Sequence, residues 1–326
     1  MREWLLVILT VAGTLCSYAG WSAETLPLNN SRIAFTLPEK DLLPENVAYD
    51  PQSRSFFIGS TRKGKILRYQ DGRVTDFIAP RSNGLWMVIG MKADAQRRLL
   101  WVASSAGGNL ENYTSNGTRP AGLFKFDLDS GKFLGRWLLD GKDGEHFLND
   151  LVVAPNGDVY VTHMFDKAAI YRLEAKTGTF SPIYRGDNAF KFPNGVTLTP
   201  DGKTLFIAHR GGVSRLDLET RQRESLVAPA DAFPTSADGL YLVGNALVAI
   251  FDDQVKRFRL DAKRKTIIST EILETAHPMF MRPTTGVVVN NTLYYIANAQ
   301  FDSFDENGKL WPMHRLYEPV ILKLPL

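Results

Sequence analysis

Along most of the chain apolar and polar residues alternate with a period of two. Clusters of Asn, Asp, Gly and Pro break the alternation at short intervals. That period belongs to strands, and the interruptions carry turn chemistry. The stretch from His146 to His163 shows the unit. A polar pair, Asn149-Asp150, leads into a short strand through Leu151 and Val153. The turn Pro155-Asn156-Gly157-Asp158 follows, then a second strand through Val159, Tyr160 and Val161. Asn and Gly tolerate positive φ in such a hairpin turn, and Val and Tyr suit the pleated sheet.

Six units of this kind follow one another. Their first strands open at Glu45, Ile89, Asn149, Asn194, Asp238 and Thr284, separated by 44, 60, 45, 44 and 46 positions. The long step holds an insertion, Gly107 to Pro120, rich in Gly, Asn and Thr, which reads as a surface loop or a lid. A repeat of about 45 residues with four strands each is the pattern of a β-propeller blade. One such blade cannot bury both faces, so blades pack on one another around an axis. The sixth unit lacks a fourth strand before the chain stops, and the orphan strand Ser31 to Pro38 supplies it. The expectation is therefore an all-β, six-bladed propeller over residues 24–326, its ring closed by the N-terminal strand joining the last blade. A β-sandwich or an open solenoid is the alternative, disfavoured by the regular period and the complementary chain ends.

Composition changes this picture in three places. A net charge of +3 with no dense Lys/Arg patch argues against a nucleic-acid partner. The single Cys, Cys16, excludes a disulfide framework and a Cys-based metal site. It lies in a segment of its own: Arg2, then the apolar run Leu5 to Leu15, then Ser17-Tyr18-Ala19. This reads as a secretory signal peptide, residues 1–23, cleaved after Ala19 or Ala23. The run is short for a spanning helix, and no other long apolar run follows. An exported protein, periplasmic or secreted, with no membrane span in the mature chain is expected, and a monomer. The Asn-x-Thr triplets at Asn112 and Asn116 would be glycosylated only in a eukaryotic secretory pathway.

In a propeller the first strand of each blade lines the central channel, and the residue at its mouth points at the axis. Four of the six mouth residues are carboxylates or carboxamides: Glu45, Asn149, Asn194 and Asp238. One Asn or Asp ahead of a strand is an ordinary turn residue. Four at the same slot of a repeat point to a metal site. Two converging carboxylates repel unless one is protonated or a cation lies between them. Donors that are all oxygen favour a hard cation such as Ca²⁺, or another divalent ion. Asp150 and Asn46, next in the chain, face a second, deeper cation or bond to solvent and backbone. His146 lies near enough to face a small-molecule substrate, and His277, ahead of blade 6, is a second candidate. His163 and His209 end second strands, away from the axis, and read as structural. The chain has no Gly-x-Ser-x-Gly elbow, phosphate-cradling Gly loop or His-Glu-x-x-His helix, which argues against a serine hydrolase, a nucleotide enzyme or a zinc protease.

Pro44-Glu45, Asn149-Asp150, Pro193-Asn194-Gly195 with Pro200-Asp201-Gly202, and Ala237-Asp238-Gly239 stand at blade spacing. In these motifs, over about residues 40–325, the chain resembles the gluconolactonase/regucalcin (senescence marker protein) family, whose wider relatives are the paraoxonases and strictosidine synthase. The resemblance implies a channel Ca²⁺, or another divalent ion, on Glu45, Asn149, Asn194 and Asp238. It also implies metal-dependent hydrolysis of a lactone or ester, the ion polarising the carbonyl. Asp238 would then be the catalytic base or proton shuttle and Glu45 a pure ligand. Two departures bear on the substrate. Phe147 stands where gluconolactonase-like members carry a sugar-binding Arg, and Ile89 stands where paraoxonases carry a His. With Trp86 and Met87 they suggest an apolar mouth, suited to a hydrophobic lactone, an aryl ester or another nonpolar ligand. Thr284 completes the mouth. The alternative is a non-catalytic propeller that binds a ligand or protein around a structural metal.

Overall fold

A computed structural model describes residues 28–115, 117–142, 144–165 and 168–326. The signal peptide expected at 1–23 and the triplet at Asn116 lie outside them. Among the described residues, strands form six four-stranded antiparallel sheets. The inner strands of blades 1 to 6 are Pro44–Asp50, Met87–Asp94, Leu148–Val153, Val196–Leu198, Gly239–Val243 and Gly286–Val289. The fold is the expected six-bladed propeller. Its only helices among the described residues are two 3-10 turns, Ser82–Gly84 and Met313–Arg315, and no helix is long and apolar enough to cross a membrane.

The last blade closes the ring as the chain ends predict. Arg32–Thr36 runs antiparallel to Val320–Pro325, pairing Arg32 with Lys323 and Thr36 with Val320. Ser31 Oγ meets the Tyr295 hydroxyl at 2.8 Å, and Phe35 stacks on Tyr69 of blade 1 with centroids 3.8 Å apart. Blades 4 and 5 each carry an outer strand that apolar alternation does not disclose, Arg223–Ser225 and Ile267–Thr275. Arg223–Ser225 buries no residue, and Ile267–Thr275 buries only its two ends around five exposed residues, so no alternating face imprints a period on them.

The core lies between blades. Ala48 and Phe57 of blade 1 pack on Val88, Met91, Val102 and Phe124 of blade 2. Such interfaces repeat around the ring, and each fully buried large side chain contributes about 1.5–3 kcal/mol. Polar ties cross the junctions near the axis. Thr285 Oγ1 donates to the Glu45 carbonyl at 2.7 Å, Ser105 Oγ to the Leu148 carbonyl at 3.0 Å, and Val196 N–H to Asp150 Oδ2 at 3.2 Å. These ties fix the inner strands against one another, and with them the residues at the channel mouth.

Candidate functional site

Strand alternation alone would turn the mouth residues into the gaps between blades. Bulges redirect them. In blade 1 the register slips between Pro44 and Asn46, leaving Glu45 unpaired; in blade 2 it slips between Val88 and Gly90, at Ile89; in blade 3 between Leu148 and Leu151, over Asn149 and Asp150. A bulged residue leaves the ladder and re-aims its side chain. In blades 4 and 5 the donors stand just ahead of the strand. Asn194 N–H donates to the Ala208 carbonyl and Asp238 N–H to the Ile250 carbonyl, both at 2.9 Å. Gly195 has a reason of its own: a Cβ there would sit 2.7 Å from the Asp238 carbonyl oxygen and 2.8 Å from Leu240 N. Only glycine lets the inner strand of blade 5 come that close.

Glu45, Asn149, Asn194 and Asp238 line one cavity of about 390 Å³, together with Ile89 and Phe147. The first three are buried, and Asp238 is half-buried. Asn194 Nδ2 donates to Asp238 Oδ1 at 2.5 Å, which leaves Asn194 Oδ1 buried with no partner. Burial, reinforced by the charges of Asp238 and Asp150, pushes the Glu45 carboxyl well above the usual carboxylate range. Burial and the charge of Asp252 push Asp238 up to about 7, against the opposing pull of Asn194 and Arg282. Two carboxylates driven toward protonation for want of counter-charge, beside an orphaned amide oxygen, are the environment a hard cation relieves. Half of the donor set is carboxamide, and among the described residues no three His, Cys, Asp or Glu side chains form a metal-binding group. The residues fit an oxygen-ligated divalent ion and do not fit a thiolate or imidazole site.

The other expected positions separate. Asp150 serves the fold: Oδ1 accepts from Leu151 N–H at 2.8 Å, Oδ2 accepts from Val196 N–H, and Lys92 Nζ lies 3.6 Å from Oδ1. Asn46 is buried with neither side-chain polar atom paired. Thr284 is buried, with Oγ1 unpaired, and does not line the cavity. His146 is buried away from it, its Nδ1 2.9 Å from His163 Nε2. His277 packs its ring on Phe280, accepts from Met279 N–H at Nδ1, and also stands outside the cavity. The insertion contributes Gly107, Gly108, Asn109 and Arg119 to the wall, while its Leu110 is buried on Met87 and Ile89. Met164, Phe165, Arg282 and Phe301 also line the cavity and were not anticipated. They lie in loops between strands, where no repeat position marks them.

The family model for the SMP-30/gluconolactonase/LRE-like region matches residues 43–294. The chain belongs to that family. All four oxygen donors, with Ile89 and Phe147, fall inside the matched region. Among solved structures, the major allergen Mala s 1 of Malassezia sympodialis superposes with a TM-score of 0.67 at 18% identity, over 90% of this chain and 95% of that one. A gluconolactonase of Xanthomonas campestris gives 0.59 at 17%, over 92% and 91%. A luciferin-regenerating enzyme gives 0.60 at 14%, over 91% and 95%. At these identities the likeness is one of fold. No curated protein matches the sequence.

Proposed function

We propose that this protein hydrolyses a lactone or ester with a divalent cation, Ca²⁺ by donor chemistry, held by Glu45, Asn149, Asn194 and Asp238. The observation that carries the reading is the convergence of these four side chains in one cavity with Asn194 Oδ1 unpartnered. Family membership and the likeness to a gluconolactonase support it. The cation, when bound, would polarise the scissile carbonyl and stabilise the oxyanion.

The chain's own residues do the rest. Asn194 Nδ2 fixes Asp238 through Oδ1, which leaves Oδ2 to take a proton from the attacking water. Ile89, Met87, Phe147, Met164 and Phe165 form the apolar wall of the cavity. Phe147 stands where a hydrogen-bonding side chain would hold a sugar hydroxyl, and with Met87, Ile89, Met164 and Phe165 it favours an apolar lactone or aryl ester as substrate. The apolar run Leu5 to Leu15 behind Arg2 supports export of the protein.

The test is a panel of alkyl lactones and aryl esters assayed with calcium, after chelation, and in Asp238→Ala. Turnover lost on chelation and in the variant is the expected result. A protein that binds calcium and cleaves nothing would instead be a ligand-binding propeller with a structural ion.

A further inference from the structure

The cavity is chemically lopsided. Its apolar wall comes from blades 2 and 3: Met87, Ile89, Phe147, Met164 and Phe165. Phe147 and Phe165 contact one another with centroids 5.1 Å apart, and Met87 and Ile89 are backed by Leu110. In a ring of six, blade 3 stands opposite blade 6. From the blade 6 side the cavity receives Arg282, just ahead of the inner strand, with Phe301 beside it. A substrate laid across the oxygen donors therefore meets a mostly hydrocarbon wall at one end, with Arg119 laid against Phe165, and Arg282 with Phe301 at the other.

Two arginines line the cavity, and they are not equivalent. Arg119 is engaged at the apolar end: its Nε lies 3.3 Å from Glu145 and its guanidinium 5.6 Å from the centre of Phe165. Arg282 has only long contacts, 3.6 Å to Asp252 and 3.5 Å to Asp302, with all three side chains about half exposed or more. Exposed pairs of that kind are weak and exchange readily; the Arg119–Glu145 pair is similarly exposed, and what sets Arg119 apart is its shorter contact and its place on the Phe165 ring. Arg282 is also the cation whose charge reaches both Glu45 and Asp238. Its backbone is pinned, Ala299 N–H donating to its carbonyl at 3.3 Å.

We propose that the natural substrate is an amphipathic anion: an ester or lactone whose apolar body lies on Met87, Phe147, Met164 and Phe165 and whose anionic group, a carboxylate, sulfonate or phosphate, pairs with Arg282. This rests on the hydrolase reading for the word substrate, but the recognition is testable without turnover. Arg282 sets specificity by holding the end of the molecule that does not react.

The experiment is calorimetric titration of the calcium-loaded full chain with octyl sulfonate and with 1-octanol. Sulfonate is a weak calcium ligand, so its preference reports on the arginine. A charge-assisted hydrogen bond predicts binding about tenfold or more tighter for the sulfonate, weakened by salt. Arg282→Gln should abolish the preference and Arg282→Lys retain part of it, with thermal melts confirming that both fold. Equal binding of the two probes by the unmodified protein overturns the proposal. So does a preference that survives Arg282→Gln, or one removed only by Arg119→Gln. If the preference follows Arg282 but no lactone or ester is cleaved, the recognition stands and the hydrolase reading falls.

Discussion

Asn194 Nδ2 and Asp238 Oδ1 lie 2.5 Å apart, joining the mouths of two neighbouring blades. The bond orients the Asn194 amide so that its oxygen, buried and unpaired, turns away from Asp238. One hydrogen bond therefore fixes the carboxylate and presents an amide oxygen at the same time. Asn194→Leu keeps the volume and removes both roles. Its calcium affinity should fall at least about tenfold, and the calcium-induced rise in Tm should largely vanish. The metal-free protein should lose only about 1 kcal/mol. Titration calorimetry and melts with and without chelator check this.

A second buried pair belongs to stability alone. Arg98 grips Asp50 with two bonds of 2.7 and 2.9 Å, tying the first hairpin of blade 1 to blade 2, and Asp50 is fully buried. Arg98→Met leaves that buried carboxylate without its counter-charge, held only by the Ser53 and Gln52 bonds, at a cost of roughly 3 kcal/mol. Denaturant midpoints should drop accordingly while lactone or ester turnover at 25 °C is retained, because the pair stands outside the cavity.

Acid should withdraw two separate contributions to stability. His209 is buried; its Nδ1 accepts from Gly211 N–H and its Nε2 lies 2.8 Å from Ser214 Oγ. Burial, with the nearby charge of Arg223, lowers it from 6.5 to about 4. The unfolded chain then binds the proton more readily than the folded one. The His209 contribution is full above pH 6.5 and is lost as pH drops toward 4, by up to about 3 kcal/mol, while Asp238, raised to about 7, contributes with the opposite sign in the metal-free protein. Burial by itself would raise Asp50, but the Arg98, Ser53 and Gln52 bonds outweigh it and hold the carboxyl well below the usual carboxylate range. Its contribution is lost only at lower pH, as the medium falls past 3.8. The difference in unfolding free energy between the unmodified chain and His209→Gln, measured from pH 7 to 3, should shrink as pH falls and so isolate the first step, with only the onset of the Asp50 step reached by pH 3.

The ring and its period were legible because four inner-strand motifs recur about every 45 residues, and the orphan strand at the N-terminus had one place to go. The four oxygen donors were legible for the same reason: each occupies a repeat position. What the pattern hides is what repeats do not carry. Arg223–Ser225 has no buried residue, and in Ile267–Thr275 the buried residues sit at the two ends with five exposed between them, so neither outer strand shows a period of two. Arg282, Met164, Phe165 and Phe301 come from loops of unequal length, so no alignment of blades brings them to the cavity. His146 stands three residues from Asn149, yet the chain direction set by the blade 3 bulge turns it onto His163. Sequence proximity overrated it, as it did His277.

Closure of the ring rests on a short strand, and Phe35 is its main anchor. It is buried against Tyr69, Ile58 and Ile321. Phe35→Ala should cost about 3–5 kcal/mol and open the edge of Val320–Pro325. Hydrogen exchange should show lost protection first in blade 6, with blades 2 to 4 retained under mild conditions.

The most direct test of the central claim is turnover of an apolar lactone by the purified protein before chelation, after it, and after calcium is restored, with Asp238→Asn alongside. The account predicts activity abolished by chelator, recovered with calcium, and reduced by about 10²-fold or more in the variant. Turnover unchanged by chelation, or retained in Asp238→Asn, would contradict it.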